Sequence, residues 1–219
     1  MPVNAAPTHP QTLRGEWMFD FISPYAYLQW KTLDAIRARV AIQAVPILFA
    51  ALLDHHGHKG PAEIPEKRRF TFRFVQWQAQ RLGLVLRCPP AHPFNPLPAL
   101  RLAIALGSRT EVIDAIFDHI WLQGRSADQI ADLSPLAAQF GVADLGTLIA
   151  AATVKEQLRS NTEHAIQRGV FGVPTLIVGE QLFWGQDANP MILDWLDHPQ
   201  LFDSPEMQRI EHLPSAAQR

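Results

Sequence analysis

The sequence predicts an α/β domain whose two halves are separated by a long all-helical insertion. Three observations carry that expectation. Near the start of the chain an apolar strand runs directly into Ser23-Pro24 and an amphipathic helix. The middle is filled by helical periodicities, and the end holds a short apolar hairpin followed by one more helix. With 219 residues, 47% of them hydrophobic, the chain has enough material for a large core.

Taken in order, Glu16 to Phe21 reads as a buried strand and Pro24 to Val40 as a helix. Pro24 suits the first helical position, where no backbone N–H is needed. Ala41 to Leu48 forms the next strand, bent or stopped by Pro46, which completes an α/β opening of strand, helix and strand. Pro65 to Leu82 places Phe70, Phe74, Trp77 and Leu82 at helical spacing, with Lys67, Arg68, Arg69 and Arg73 between them as a solvated face. A proline-rich link from Cys88 to Pro98 precedes helices at 97–107 and 109–123. Ser126-Ala127-Asp128-Gln129 opens another, with a serine cap and an acidic first turn, and Ser134-Pro135 and Gly141 punctuate the next stretch. Thr147 to Arg168 is the last long helix, stopped by a left-handed Gly169. Thr175–Val178 and Gln181–Trp184 form a hairpin about Gly179-Glu180, and Pro190 to Leu196 closes the fold. The expected organisation is a loose leader at 1–15, one domain built from 16–55 and 158–200, a helical insertion at 56–157 and a tail at 201–219.

Composition narrows the function. A net charge of −2 without a polybasic block offers no footprint for nucleic acid. Cys88 is the only cysteine, so a disulfide framework, a Cys-x-x-Cys redox pair and a cysteine-rich zinc site are excluded. The leader holds Pro2, Pro7 and Pro10 but no apolar run, unlike a signal peptide, and no segment has the length of a membrane span. A soluble cytoplasmic protein with no membrane partner is expected. His55, His56 and His58 are adjacent on a flexible loop, which seldom gives the shared geometry a metal needs, so no metal site is expected. His58 could instead line a cleft as a near-neutral acid or base.

Three constellations carry chemistry. Ser23 precedes a helix start, where a hydroxyl and unpaired N–H groups can stabilise a bound thiolate and lower its pKa; the alternative is a plain helix cap. Gly172-Val173-Pro174-Thr175 leads from helix to strand, which fits an edge position. With a cis bond, its Val173 N–H and C=O would face outward for an extended ligand; otherwise it is an ordinary turn. Trp184-Gly185-Gln186-Asp187 precedes the closing helix, where amides can hold a carboxylate and Asp187 an ammonium group, a pairing offered by the γ-glutamyl end of glutathione. For Asp187 capping is the competing role, and for Asn189 it is the expected one.

The runs Phe19-Asp20-Phe21-Ile22-Ser23-Pro24-Tyr25, Thr162-Glu163-His164-Ala165, Gly169-Val170-Phe171-Gly172-Val173-Pro174-Thr175 and Trp184-Gly185-Gln186-Asp187 together resemble the 2-hydroxychromene-2-carboxylate isomerases. Those enzymes sit with the kappa-class glutathione transferases in the DsbA-like branch of the thioredoxin superfamily. The resemblance spans about residues 15–200. It implies a thioredoxin-like domain interrupted by an all-helical insertion domain, a homodimer, and glutathione as cofactor. It also implies site roles. Ser23 would activate the glutathione sulfur, Val173 ahead of a cis Pro174 would hold the cysteinyl backbone, and Trp184, Gln186 and Asp187 the γ-glutamyl end. Lys67 matches a lysine that reaches a glutathione carboxylate. His58, in Gly57-His58-Lys59-Gly60-Pro61, and Asn95, in His92-Pro93-Phe94-Asn95, would face an aromatic-derived second substrate. The chain departs from the pattern with Ala188 where relatives often carry arginine, and with His58 where they carry asparagine.

The expected activity is a glutathione-dependent isomerisation through reversible thiolate addition to a conjugated substrate. Two alternatives stand beside it: a kappa-like transferase that conjugates or reduces electrophiles, and a non-catalytic DsbA-like peptide-binding protein. Dithiol oxidoreductase chemistry is excluded by the single cysteine.

Overall fold

β1 (Leu13–Phe19) buries Trp17, Met18 and Phe19 completely, so the core holds its C-terminal end in place. It runs parallel to β2 (Val40–Pro46) and antiparallel to β3 (Thr175–Val178), which pairs antiparallel with β4 (Gln181–Trp184). The sheet order is β2-β1-β3-β4. The register sets Met18 opposite Thr175, so the chain leaving β1 and the chain entering β3 meet at one end of the sheet. These features belong to the computed structural model of the chain, which describes residues 13–214.

Between β1 and β2 the single expected helix is two, α1 (Pro24–Trp30) and α2 (Asp34–Arg37). Thr32 explains the break: its hydroxyl donates back to the Leu28 and Gln29 carbonyls, offering them an alternative to a continued helix. After β2 come α3 (Phe49–His56), α4 (Pro65–Arg81), α5 (Leu97–Ala105), α6 (Thr110–Phe117), α7 (Ile130–Gln139) and α8 (Leu145–Ala150). The chain then returns through α9 (Ala152–Gln167) to β3, and α10 (Asn189–Asp197) and α11 (Pro205–Glu211) follow β4. The fold is thus a thioredoxin-like α/β unit with a helical insertion.

Several local expectations change. β1 begins and ends earlier than 16–21, and α3 was not anticipated, so His55 and His56 are helical and only Gly57, left-handed at φ 63, starts the loop. Past α6 the helix continues as a π-helical turn, Asp118–Leu122. Ser126 caps nothing; its hydroxyl donates to Asp132 (2.8 Å), whose carboxylate also accepts the Gln129 N–H (2.9 Å) and so fixes the start of α7. Ser134-Pro135 lies inside α7, and the helix expected over 147–168 is broken at Ala151 (ψ 135) into α8 and α9. Gly169 does take the left-handed stop, at φ 75. Most of the expected leader lies outside the described residues, and Leu13–Gly15 already belong to β1.

The core is continuous between sheet and insertion. Phe117, at the end of α6, lies among the aromatics of the first half: ring centroids are 4.7 Å from Phe21, 5.6 Å from Phe19 and 6.2 Å from Trp17. Lys31, just past α1, pairs with Asp114 (2.6 Å) and Asp118 (2.8 Å) at the same junction. On the opposite face of the sheet Met18, Ile47, Leu52, Ala165, Val170 and Ile177 hold α3 and α9. No helix among the described residues is long and apolar enough to cross a membrane.

Candidate active site

Asp20 leaves β1 fully buried, and its carboxylate accepts two backbone N–H groups: Ile22 on Oδ1 (3.0 Å) and Phe49, the first residue of α3, on Oδ2 (2.9 Å). The Ser23 N–H donates to the Asp20 carbonyl (3.1 Å), closing a tight turn. The insertion grips the same turn. Trp121 Nε1 donates to the Phe21 carbonyl (2.9 Å), and His92 Nε2 lies 2.9 Å from the Ile22 carbonyl. A carbonyl only accepts, so His92 carries its proton on Nε2 and its buried Nδ1 is left without a partner. Burial lowers the His92 pKa, in keeping with a neutral ring.

Ser23 is 8% exposed, and of its two expected roles the structure shows the helix cap. Its Oγ accepts the Ala26 N–H (3.2 Å) as the α1 cap and donates to the Val173 carbonyl (3.3 Å), a residue 150 positions away. Pro24 takes the first helical position.

The Val173–Pro174 peptide bond is cis. The expected outward display of Val173 is half corrected: its C=O is taken by Ser23, while its N–H finds no acceptor among the described residues. The expected edge position is corrected too, since β3 is an inner strand. Pro174 is tolerated because it stands one residue ahead of the ladder, and its carbonyl accepts the Gly185 N–H (2.9 Å). A Cβ at Gly172 would meet the Trp184 indole, so any larger residue there must displace that ring. Trp184 is 54% exposed and meets Phe171 edge-on at 5.2 Å, an open aromatic pair beside the turn.

Gln29 positions the remaining motif. Completely buried in α1, it accepts from Trp17 Nε1 (2.7 Å) and donates through Nε2 to the Gly185 carbonyl and to Asn189 Oδ1, both at 2.9 Å. Asn189 donates in turn to Thr32 (3.1 Å), so it belongs to this network and does not cap α10, contrary to expectation. Gly185, at φ 92, makes the sharp turn that sets Gln186 inward (8% exposed) and Asp187 outward. Gln78 of α4 approaches Gln186 at 3.5 Å, and burial followed by the charge of Asp187 raises the Tyr25 phenol pKa.

Ser23, Val173, Pro174, Trp184, Gln186 and Asp187 are therefore brought to one end of the sheet. Among the described residues, no side-chain hydrogen bond or ion pair joins three other candidates to them. Lys67 is exposed in the first turn of α4, and His58 is exposed on the loop after α3. Asn95 is exposed, and its side chain accepts the Leu97 N–H (3.1 Å) at the start of α5; His92, not Asn95, reaches the Ser23 turn. Cys88 is free, and burial raises its thiol pKa, the opposite of an activated cysteine. A cavity of about 710 Å³ between α6 and α7 is lined by Asp114 and Asp118, both paired with Lys31, and does not include Ser23.

Asp20, Gln29, His92, Trp121 and Gln78 were not singled out from the sequence. A lone acid inside Phe19-Asp20-Phe21 was the readable signal for the first, since unpaired charge rarely enters a buried strand. Burial pushes the Asp20 carboxyl up from 3.8 to about 7, against the two N–H bonds that pull it down. Its native pKa lies above the unfolded one, so its contribution is present in full below about pH 4 and lost as pH rises to about 7. The size is on the order of 4 kcal/mol. Relative to Asp20→Asn, the wild-type melting temperature is expected to fall between pH 5 and 7.5; parallel curves across that window would refute the assignment.

Residues 16–197 match the DsbA-like thioredoxin domain family, and the chain belongs to it. It is 25% identical over 206 residues to the Caenorhabditis elegans glutathione S-transferase kappa 2, covering 84% of this chain and 92% of that one. It is 29% identical over 189 residues to the 2-hydroxychromene-2-carboxylate isomerase of Sphingobium xenophagum, covering 83% and 95%. A solved 2-hydroxychromene-2-carboxylate isomerase superposes with a TM-score of 0.74 at 21% identity, over 92% of this chain and all of the other, which shows the shared fold. The relatives are thus enzymes of two kinds, isomerases and transferases.

Proposed function

We propose that the protein is a glutathione-dependent isomerase of the 2-hydroxychromene-2-carboxylate type. The observation that carries this reading is the Ser23 hydroxyl lying 3.3 Å from the Val173 carbonyl beside a cis proline, in a chain with no cysteine at that place. Glutathione would supply the sulfur. Its cysteinyl backbone would accept from the free Val173 N–H, and its γ-glutamyl end would lie against Trp184, Gln186 and Asp187, with Lys67 available to a carboxylate. Ser23 would turn its hydroxyl from Val173 to the sulfur and favour the thiolate. The thiolate adds to an electron-poor conjugated double bond: the S–C bond forms, and the π pair moves to the conjugated carbonyl as an enolate. After rotation about the resulting single bond, the pair returns, the S–C bond breaks, and glutathione leaves unchanged. The second substrate is an aromatic-derived conjugated acid, met by the exposed Trp184 and Phe171 and by His58 and Asn95 if their loops close. A homodimer and a cytoplasmic location complete the proposal.

Incubation with 2-hydroxychromene-2-carboxylate and a sub-stoichiometric amount of glutathione is expected to give many turnovers with the thiol concentration constant. Loss of one thiol per product would replace this reading with the conjugating transferase. Calorimetry showing peptide binding and no glutathione binding would replace it with a non-catalytic peptide binder.

A further inference from the structure

We propose that Asp20 is a positioning residue whose ionised carboxylate assembles the Ser23 turn, clamping the Ile22 N–H and the Phe49 N–H at once. The two donors come from different parts of the fold. Ile22 precedes Ser23, and Phe49 begins α3, the helix that leads to the His58 loop. Only the carboxylate form can accept both as full acceptors. A neutral acid turns one of these oxygens into a hydroxyl, a weaker acceptor for its N–H, and Asp20 meets no acceptor for the added hydrogen among the described residues. Protonation therefore weakens one side of the clamp, and ionisation restores it.

The surroundings leave this switch to Asp20 itself. Its raised pKa has burial as the opposing cause and the two N–H bonds as relief, with no charged side chain contributing. Across the turn, His92 binds the Ile22 carbonyl, in the next peptide unit, as a neutral ring. From α3, Asp54, His55 and His56 lie at the far end from Phe49, and α9 meets the start of α3 with Thr162, which accepts the Leu48 N–H (3.0 Å) and does not titrate. Beyond Ser23, Asp187 acts on Tyr25.

The test is an amide titration of the full chain between pH 5.5 and 8.5. The Ile22 and Phe49 amide resonances are expected to shift together, with the Asp20 carboxyl carbon, at one midpoint near neutrality. In Asp20→Asn, which cannot ionise, that step should vanish. A functional arm, which rests on the glutathione reading, uses S-methylglutathione, a probe with no thiol to ionise. Its affinity should rise about 2- to 10-fold through the same midpoint in the wild type, the range one hydrogen bond represents, and stay flat in Asp20→Asn. Ile22 and Phe49 amides that do not titrate, or that keep their step in Asp20→Asn, would overturn the inference. Should that variant not fold, the wild-type carboxyl carbon and the two amides titrating together or apart decides it. Absence of S-methylglutathione binding at every pH, with the amide step intact, sinks the glutathione reading and leaves Asp20 standing.

Discussion

Replacing Ser23 with alanine is expected to lower glutathione-dependent turnover by about 10- to 100-fold while leaving the protein folded. The hydroxyl makes two bonds, one as the α1 cap and one to Val173, and the two have different consequences when lost. Removing a cap costs about 1 kcal/mol of stability. Removing a donor to a charged sulfur costs about 1.5–3 kcal/mol of interaction, which is the source of the rate factor. The second loss also has a signature of its own. The thiol of bound glutathione, followed by thiolate absorbance, should ionise at higher pH in the variant, which a purely structural cap would not cause. Full activity with an unchanged thiol titration would remove Ser23 from the chemistry and return it to the role of a cap.

That ambiguity between cap and reactive group explains what the sequence made legible. Ser23-Pro24, Val173-Pro174 and Gln186-Asp187 are local patterns, and each is found where its spacing places it, at a helix start, a strand start and a turn. The last hairpin is likewise local, and its strands have the expected bounds. What escaped was the set of contacts made across long separations. His92 reaches Ile22 from 70 residues away, Trp121 reaches Phe21 from 100, and Gln29 ties itself to Asn189 from 160. Periodicity carries no record of such pairings. The missed helix break at Thr32 has a different cause: the back-bonding of one hydroxyl competes with a pattern that otherwise continues. The edge-strand reading of Val173-Pro174 failed because a proline just outside the ladder costs an inner strand nothing.

Phe117→Ala is expected to cost about 3–5 kcal/mol of stability and to loosen the site as well. Phe117 is wholly buried and faces Trp17, Phe19, Phe21, Tyr27 and Trp30, so its removal leaves a cavity bounded by rings that cannot collapse onto alanine without leaving one another. It also brings the helical insertion into the core beneath the sheet. Its loss would weaken the register in which Trp121, one helical turn further on, holds the Phe21 carbonyl beside the Ser23 turn. A domain of this size has about 5–15 kcal/mol of stability in total, so the variant should unfold at a markedly lower urea midpoint. Phe117→Leu, which keeps most of the volume, should lose less than about 1.5 kcal/mol and preserve activity. If Phe117→Ala lost under about 1 kcal/mol, or if the wild type unfolded in two separate transitions, sheet and insertion would not share one core, and the grip of the insertion on the Ser23 turn would not depend on Phe117.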